Sequence, residues 1–325
     1  MLRTVSQDEH GGVGIRHVAA PTEEELEVAW ASVSGRLRPT PLIVSPIGPA
    51  AWLKLETMQP TGSFKVRGAL AALDRLPTGK RVITASAGNH GLGIAWAASI
   101  IGVEVTVVVS EHASAAKVAA LRRYPIELIL HGTDSDAAEA YAPRLVGPGA
   151  IYISPYNDTL VIAGQSTIGR ELDDQAPGPL TVVAPVGGGG LLAGLALWAR
   201  RRTDVSIVGV EACASRAVST AVAAGHIVTI RASDTLADGL AGNIEPGSVT
   251  PSLLGSATFV CVDEAEIRAA MRWLMANHGV VSEGAGATGV AAVLAGRVET
   301  QGRLVVLVTG RNITIAGYAA AIAEA

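Results

Sequence analysis

Short, continuous apolar runs rich in β-branched residues recur along the chain at 81–84, 103–109, 126–130, 150–153, 180–184, 205–210, 257–262 and 303–308. Between most of them lie segments whose apolar residues fall at helical spacing, at 88–100, 114–123, 134–145, 159–173, 190–201, 263–277 and 284–295. A strand that is apolar on both faces is covered on both faces, and intervening helices do the covering in parallel sheets. A helix is predicted from Thr22, because Thr22 and Glu25 have capping-box spacing. Residues 1–20 carry no clear period and read as a loose leader. The segment 74–154 has three or four strands of its own and its flanks hold the rest. The predicted fold is α/β, with two parallel-sheet domains. The smaller, 74–154, is inserted into a larger one built from 1–73 and 155–325. Ligands in such folds bind at the carboxyl ends of strands. The irregular stretch 231–256 is predicted to line that crevice or an interface.

Composition narrows the function. The 325 residues suffice for two cores, and a formal net charge of −4 with scattered arginines gives no nucleic-acid footprint. Cys213 and Cys261 are too few for a disulfide framework or a cysteine metal site, and are predicted to be buried thiols. Arg3, Asp8 and Glu9 near the start exclude the apolar core of a signal peptide. The longest apolar run, 94–109, is interrupted by Gly102 and Glu104 and is too short to span a bilayer. A soluble, cytoplasmic protein is expected, with no nucleic-acid or membrane partner.

Four stretches carry chemistry. The first is Thr61-Gly62-Ser63-Phe64-Lys65-Val66-Arg67-Gly68-Ala69, preceded by the strand-like Leu53-Lys54-Leu55-Glu56. Among four lysines, only Lys65 has a Gly/Ser entry and an aromatic neighbour, where a turn passes into a helix. A lysine becomes nucleophilic by losing its charge. Lys54 lies in the strand-like run, Lys80 in a turn, and Lys117 on the exposed side of a helix. The second stretch is a strand, 181–186, running into Gly187-Gly188-Gly189-Gly190 and then a helix. Successive backbone N–H groups and a helix start favour an anion, and without a P-loop lysine a phosphate monoester fits best. Gly188, Gly190 and Ala193 with Glu211 also fit a dinucleotide pattern, so a nicotinamide dehydrogenase is a rival reading. The third, Ser86-Ala87-Gly88-Asn89-His90, is another strand-to-helix turn suited to a carboxylate. Asn89 offers a non-titrating donor, and His90 is read as structural because no carboxylate is near it in sequence. The fourth, Val308-Thr309-Gly310-Arg311-Asn312, ends a strand with a hydroxyl that suits an uncharged ring nitrogen.

Taken in order, these stretches resemble the fold-type-II pyridoxal-phosphate enzymes, in particular the serine/threonine dehydratases, over about residues 36–320. Further matches are Pro155-Tyr156-Asn157-Asp158, Ala163-Gly164-Gln165-Ser166-Thr167-Ile168-Gly169, Gly209-Val210-Glu211 and Ala237-Asp238-Gly239. The resemblance implies that pyridoxal 5'-phosphate is joined to Lys65, packs near Phe64, and is bonded through its ring hydroxyl by Asn89. It implies a phosphate held by Gly187, Gly188, Gly189 and Gly190, and Thr309 at the ring nitrogen. Ser86, Ala87, Gly88, Asn89 and His90 would clasp the substrate carboxylate. The implied reaction converts L-threonine, L-serine or a close β-hydroxy amino acid to a 2-oxo acid and ammonia. Lys65 removes the Cα proton, and no side chain stands out as donor to the departing hydroxyl, which leaves the cofactor phosphate for that task. A homodimer is implied as well.

Departures from the pattern refine this. Ala87 stands where racemases carry a second serine, and the Lys65 stretch lacks the form typical of cysteine synthases. Ala217, six residues after Glu211, breaks a cation-binding pattern, so no metal is assigned. Arg311 replaces a usual glycine; it either meets a second carboxylate, as in a hydroxyaspartate, or points to solvent, and solvent is the reading adopted. The chain ends soon after Asn312, so no regulatory domain is expected. A non-catalytic ligand sensor is a third reading.

Overall fold

A computed structural model describes residues 2–4 and 16–323. In chain order, β1 (Leu2–Thr4), α1 (Glu23–Ser34), β2 (Leu42–Ser45), β3 (Ala51–Leu55) and α2 (Lys65–Leu73) come first. The next block is β4 (Arg81–Ala85), α3 (Asn89–Ile101), β5 (Val105–Val109), α4 (Ala115–Leu121), β6 (Glu127–Leu130), α5 (Ser135–Tyr141) and β7 (Ala150–Tyr152). It is followed by α6 (Thr159–Gln175), β8 (Leu180–Pro185), α7 (Gly190–Ala199), β9 (Val205–Ala212) and α8 (Ala217–Ala224). The last elements are β10 (Thr258–Val262), α9 (Glu264–His278), α10 (Gly284–Leu294), β11 (Arg303–Val308) and α11 (Ile315–Ile322).

The strands form two sheets. A five-stranded parallel sheet has the order β1-β6-β5-β4-β7, and a six-stranded sheet the order β10-β9-β8-β11-β3-β2. Only β2 runs antiparallel, against β3. The runs that were apolar without alternation are buried throughout, as in β5 and β8, because helices cover both faces. The smaller sheet's β4 to β7 fall between β3 and β8 of the larger one in the chain. Its edge is completed by β1, which pairs with β6 in parallel. The start of the chain, read as a loose leader and placed with residues 1–73 of the larger domain, thus contributes a strand to the smaller sheet. No sequence period announced it, since a three-residue strand is too short to show one.

Local signals explain several element starts. The Thr22 hydroxyl accepts the Glu25 N–H at 3.2 Å while the Glu25 carboxylate accepts the Thr22 N–H at 2.8 Å. Asp158 caps α6 by accepting from Leu160 and Val161. Both satisfy amide donors that a helix start leaves unpaired. Among the described residues, no helix is long and apolar enough to cross a membrane.

Cys213 and Cys261 are joined by a disulfide, against the expectation of buried thiols. They are 48 residues apart, yet β9 and β10 are neighbours in the sheet, and their Cα atoms lie 5.0 Å apart. Cys213 is exposed. Residue spacing gave no sign of this pairing, because it arises only when the strands align.

Candidate active site

The strand ends β3, β4, β7, β8 and β11 each deliver one of the stretches singled out above. The turn before α2 is zipped to the end of β11: Phe64 N–H donates to Thr309 O at 3.1 Å, and Arg311 N–H to Gly62 O at 2.9 Å. Gly62 adopts φ 75°, a left-handed conformation that favours glycine, and its α-carbon faces the Asn312 side chain. This pairing sets Lys65 beside Thr309, which is buried. The third stretch docks on the same place, since Gly93 of α3 packs against the backbone of Lys65 and Val66 so closely that a methyl group there would lie 3.2 Å from them.

Lys65 is half-buried, and its Nζ donates to Pro155 O at 2.6 Å. Phe64 lies alongside, its ring centroid 5.3 Å from that nitrogen. Burial pushes the Lys65 ammonium down to about 8, against an upward pull from Glu139. The other lysines differ. Lys54 is fully buried and ion-paired to Glu171 at 2.5 Å, Lys117 is paired to Asp238 at 2.5 Å, and Lys80, half-buried, rests on Pro148 O. Lys65 is therefore the lysine best disposed to act as an amine.

Tyr156, the residue after Lys65's carbonyl partner, floors the glycine loop. A methyl group on Gly188 would collide with the Tyr156 ring, and one on Gly190 would lie 2.8 Å from Tyr156 O. Gly189 has φ 85° and opens α7. Gly187 sits against Gly239 and Leu240, and the Thr250 hydroxyl donates to Gly188 O at 2.8 Å. The stretch 231–256 thus lines the site, as predicted. Among the described residues, none accepts a hydrogen bond from the N–H groups of Gly187 to Leu191. A bare row of donors at a helix start, with no side chain in the way, fits the phosphate of a small cofactor.

The Ser86–His90 turn has the same character. The Ser86 hydroxyl accepts Gly88 N–H at 3.2 Å, while the N–H groups of Asn89 and His90 donate to no described residue. Asn89 belongs to a chain of polar contacts not foreseen from the sequence. Its Nδ2 donates to Glu283 Oε1 at 2.6 Å, and its Oδ1 accepts from Asn312 Nδ2 at 2.5 Å. Burial pushes Glu283 up to about 7, with the Asn89 donation pulling the other way. His90 is buried, with Nε2 2.9 Å from Thr84 Oγ1 and Nδ1 unpartnered. Thr84 gives its proton to Ile153 O at 2.7 Å, so Nε2 carries the hydrogen in that contact. Burial, then the charge of Lys65, hold His90 well below its ordinary value, and it stays neutral.

Several other residues were missed or misread. Behind Lys65, the Arg67 guanidinium grips Glu56 at 2.8 Å and Glu171 at 2.6 Å, and Glu171 also holds Lys54. All four are buried. Their partners are far apart in sequence; Lys54 and Glu56 were quoted only as part of a strand-like run and Arg67 only as part of the Lys65 stretch, and Glu171 was not singled out. Glu211, the dinucleotide acid of the rival reading, is buried and accepts the N–H groups of Val218 and Ser219 at 3.0 and 3.1 Å. Its buried carboxylate caps α8, a structural task that lends the dinucleotide reading no support. Arg311 is exposed, as the solvent reading held. Glu139, Tyr152, Tyr156 and Glu245 form a polar cluster in which the two tyrosines are buried and the two glutamates half-buried, and the charge of Glu139 reaches Lys65.

Residues 33–310 match the family described as pyridoxal-phosphate dependent enzyme. The chain belongs to that family. It is 36% identical over 307 residues to L-threonine ammonia-lyase of Thermotoga maritima, covering 90% of this chain and 76% of the relative. It is 39% identical over 295 residues to L-threonine ammonia-lyase of Geobacter sulfurreducens, covering 86% and 73%. Among solved structures, maize serine racemase superposes with a TM-score of 0.85 at 27% identity, over 92% of this chain and 95% of that one. Threonine deaminase isoform 2 from Solanum lycopersicum, in its processed form, gives 0.83 at 27% identity, over 97% and 98%. The protein is a fold-type-II pyridoxal-phosphate enzyme of the serine/threonine dehydratase group, and pyridoxal phosphate is its cofactor.

Proposed function

We propose that this enzyme is an ammonia-lyase that converts L-threonine, L-serine or a close β-hydroxy amino acid to a 2-oxo acid and ammonia. One observation carries the reading. The lysine with the depressed ammonium touches Pro155, and the next residue floors a glycine loop whose amide donors are bare. The names of its relatives set the reaction class.

The proposed residue roles draw support from this geometry. Lys65 is the attachment point for the cofactor and the base that takes the Cα proton. A group near 8 serves that purpose around neutral pH, where it gains and loses a proton readily. The N–H groups of Gly187 to Gly190 hold the phosphate. Phe64 would hold the cofactor ring, Asn89 would bind its hydroxyl, and Thr309 would serve its ring nitrogen. Ser86, the Ala87-Gly88 turn, Asn89 and His90 bind the substrate carboxylate, with a neutral His90 adding no charge of its own. When bound, the cofactor supplies the electron sink that makes the Cα proton removable. The exposed Arg311 offers no observation in favour of a hydroxyaspartate. The reading extends to a cytoplasmic homodimer, with the exposed Val44 of edge strand β2 and Ile315 of α11 as apolar surface for a second copy.

Purified protein loaded with cofactor should release a 2-oxo acid and ammonia in equal amounts from L-threonine or L-serine. A panel including hydroxyaspartate and bulkier β-hydroxy amino acids defines the range. Failure to release both products from every member would overturn the proposal.

A further inference from the structure

We propose that Glu139 is the group that hands a proton to the departing β-hydroxyl of the substrate. The inference rests on the lyase reading above and supplies the donor that no stretch of the sequence revealed.

The placement comes from both sheets. Glu139 lies on α5, on the smaller-sheet side, with its carboxyl near Tyr156, whose ring lies under Gly188. The Tyr156 hydroxyl accepts the Glu245 N–H at 2.7 Å, and the Glu139 carboxyl lies near enough to act on it. Pro155, one residue earlier, accepts from Lys65 Nζ at 2.6 Å. Glu139 and Lys65 thus both neighbour the Pro155-Tyr156 unit, and among the described residues Glu139 is the ionic group whose charge lifts the Lys65 ammonium. Glu139 Oε1 is buried with no described partner. The same is true of the Tyr152 hydroxyl, on a side chain only 8% exposed. Two buried polar atoms left over in one cluster mark a place for a hydroxyl-bearing ligand, because such atoms are rarely left unpaired.

The surroundings favour the protonated carboxyl. Burial, then the charge of Glu245, then that of Asp136 push Glu139 up to about 7, while Tyr156 and Lys65 pull it down. Glu245 itself is anchored beside Glu139, by Arg16 at 2.7 Å and by the Ser154 hydroxyl at 3.0 Å. A group near 7 holds and releases a proton efficiently at neutral pH. Atoms and electrons balance in the elimination. Lys65 takes the Cα proton, the electron pair of that bond forms the Cα–Cβ double bond, and the Cβ–O bond breaks with its pair on oxygen. Oxygen takes the proton of Glu139 and leaves as water, and Glu139 is left as carboxylate until it regains a proton from solvent.

The test compares two leaving groups in the cofactor-loaded enzyme. Hydroxide needs a proton to depart, whereas the chloride of 3-chloro-L-alanine does not. In Glu139→Gln, turnover of L-threonine and L-serine should fall about 100-fold or more, the contribution typical of a positioned acid. Turnover of 3-chloro-L-alanine should stay within about threefold of wild type, too small a change for loss of a positioned acid. Glu139→Asp, which keeps the acid but shortens its reach, should recover part of the loss. A readout independent of turnover is carbon NMR of protein labelled at the glutamate carboxyls. A signal titrating near 7 should vanish in Glu139→Gln, and the signal of Glu283 should remain. Equal loss on hydroxy and chloro substrates, or no loss on either, would overturn the inference while leaving the lyase reading intact. So would persistence of every signal titrating near 7. A wild-type enzyme inactive on both hydroxy amino acids would overturn the lyase reading and this one with it.

Discussion

At Lys65 a single side chain carries a measurable signature. Its folded-state value near 8 lies below the ordinary 10.5, so without cofactor the folded protein binds fewer protons here than the unfolded chain between those values. Stability rises with pH across that window, and below it the buried charge is a full penalty. In cofactor-free protein, Lys65→Met should therefore stabilise the fold at pH 7 by about 1–3 kcal/mol, with the gain fading by pH 10 and above. Urea unfolding at both pH values checks it, and equal stability of the two proteins at pH 7 would count against the burial. Lys65 was legible because everything that marks it is local: a Gly/Ser turn, an aromatic neighbour and a helix start. Lys54 was not, because its partner Glu171 lies 117 residues away and no local pattern points to it. Glu139 and Glu283 were missed for the same reason, since each matters only through residues brought from other elements.

The element that depends most on distant partners is α2. Arg67 sits two residues beyond Lys65 and is held by Glu56 and Glu171, so the charge cluster fixes the helix that presents the reacting amine. Removing one member leaves unpaired charge in the interior, which costs far more than the pair contributes. Glu171→Ala strips the partner from Lys54 and half the grip from Arg67, and should cost about 3–5 kcal/mol, read from denaturant midpoints. A loss under about 1 kcal/mol, the range of exposed ion pairs, would show that the cluster is solvated in solution. The glycine loop is the complementary case. Gly188→Ala drives a methyl into the Tyr156 ring, and the expected outcome is a large fall in cofactor affinity by equilibrium dialysis, with the fold retained. Periodicity located most helices and buried strands, but it did not mark β2, whose first three residues are partly or fully exposed, or the short α8 and α11.

Across the whole molecule, two sheets point their strand ends at one crevice, and contacts such as Lys117 with Asp238 link α4 on the smaller-sheet side to the loop beneath the glycines. The alternation of apolar runs and helices made this architecture readable, while β1 and the Cys213–Cys261 link were hidden because both depend on strands meeting. The disulfide closes a loop between residues 48 positions apart. Its reduction, or Cys213→Ser, should lower stability by about 2–4 kcal/mol in denaturant titrations. Unchanged unfolding under reductant would mean that the link is not formed in solution. The proposed chemistry requires that cofactor and glycine loop meet at Lys65. Borohydride reduction of the yellow protein, followed by peptide mass mapping, decides that point. The phosphopyridoxyl mass should sit on Lys65 alone; its appearance on Lys54, Lys80 or Lys117 with Lys65 unmodified would contradict the assignment.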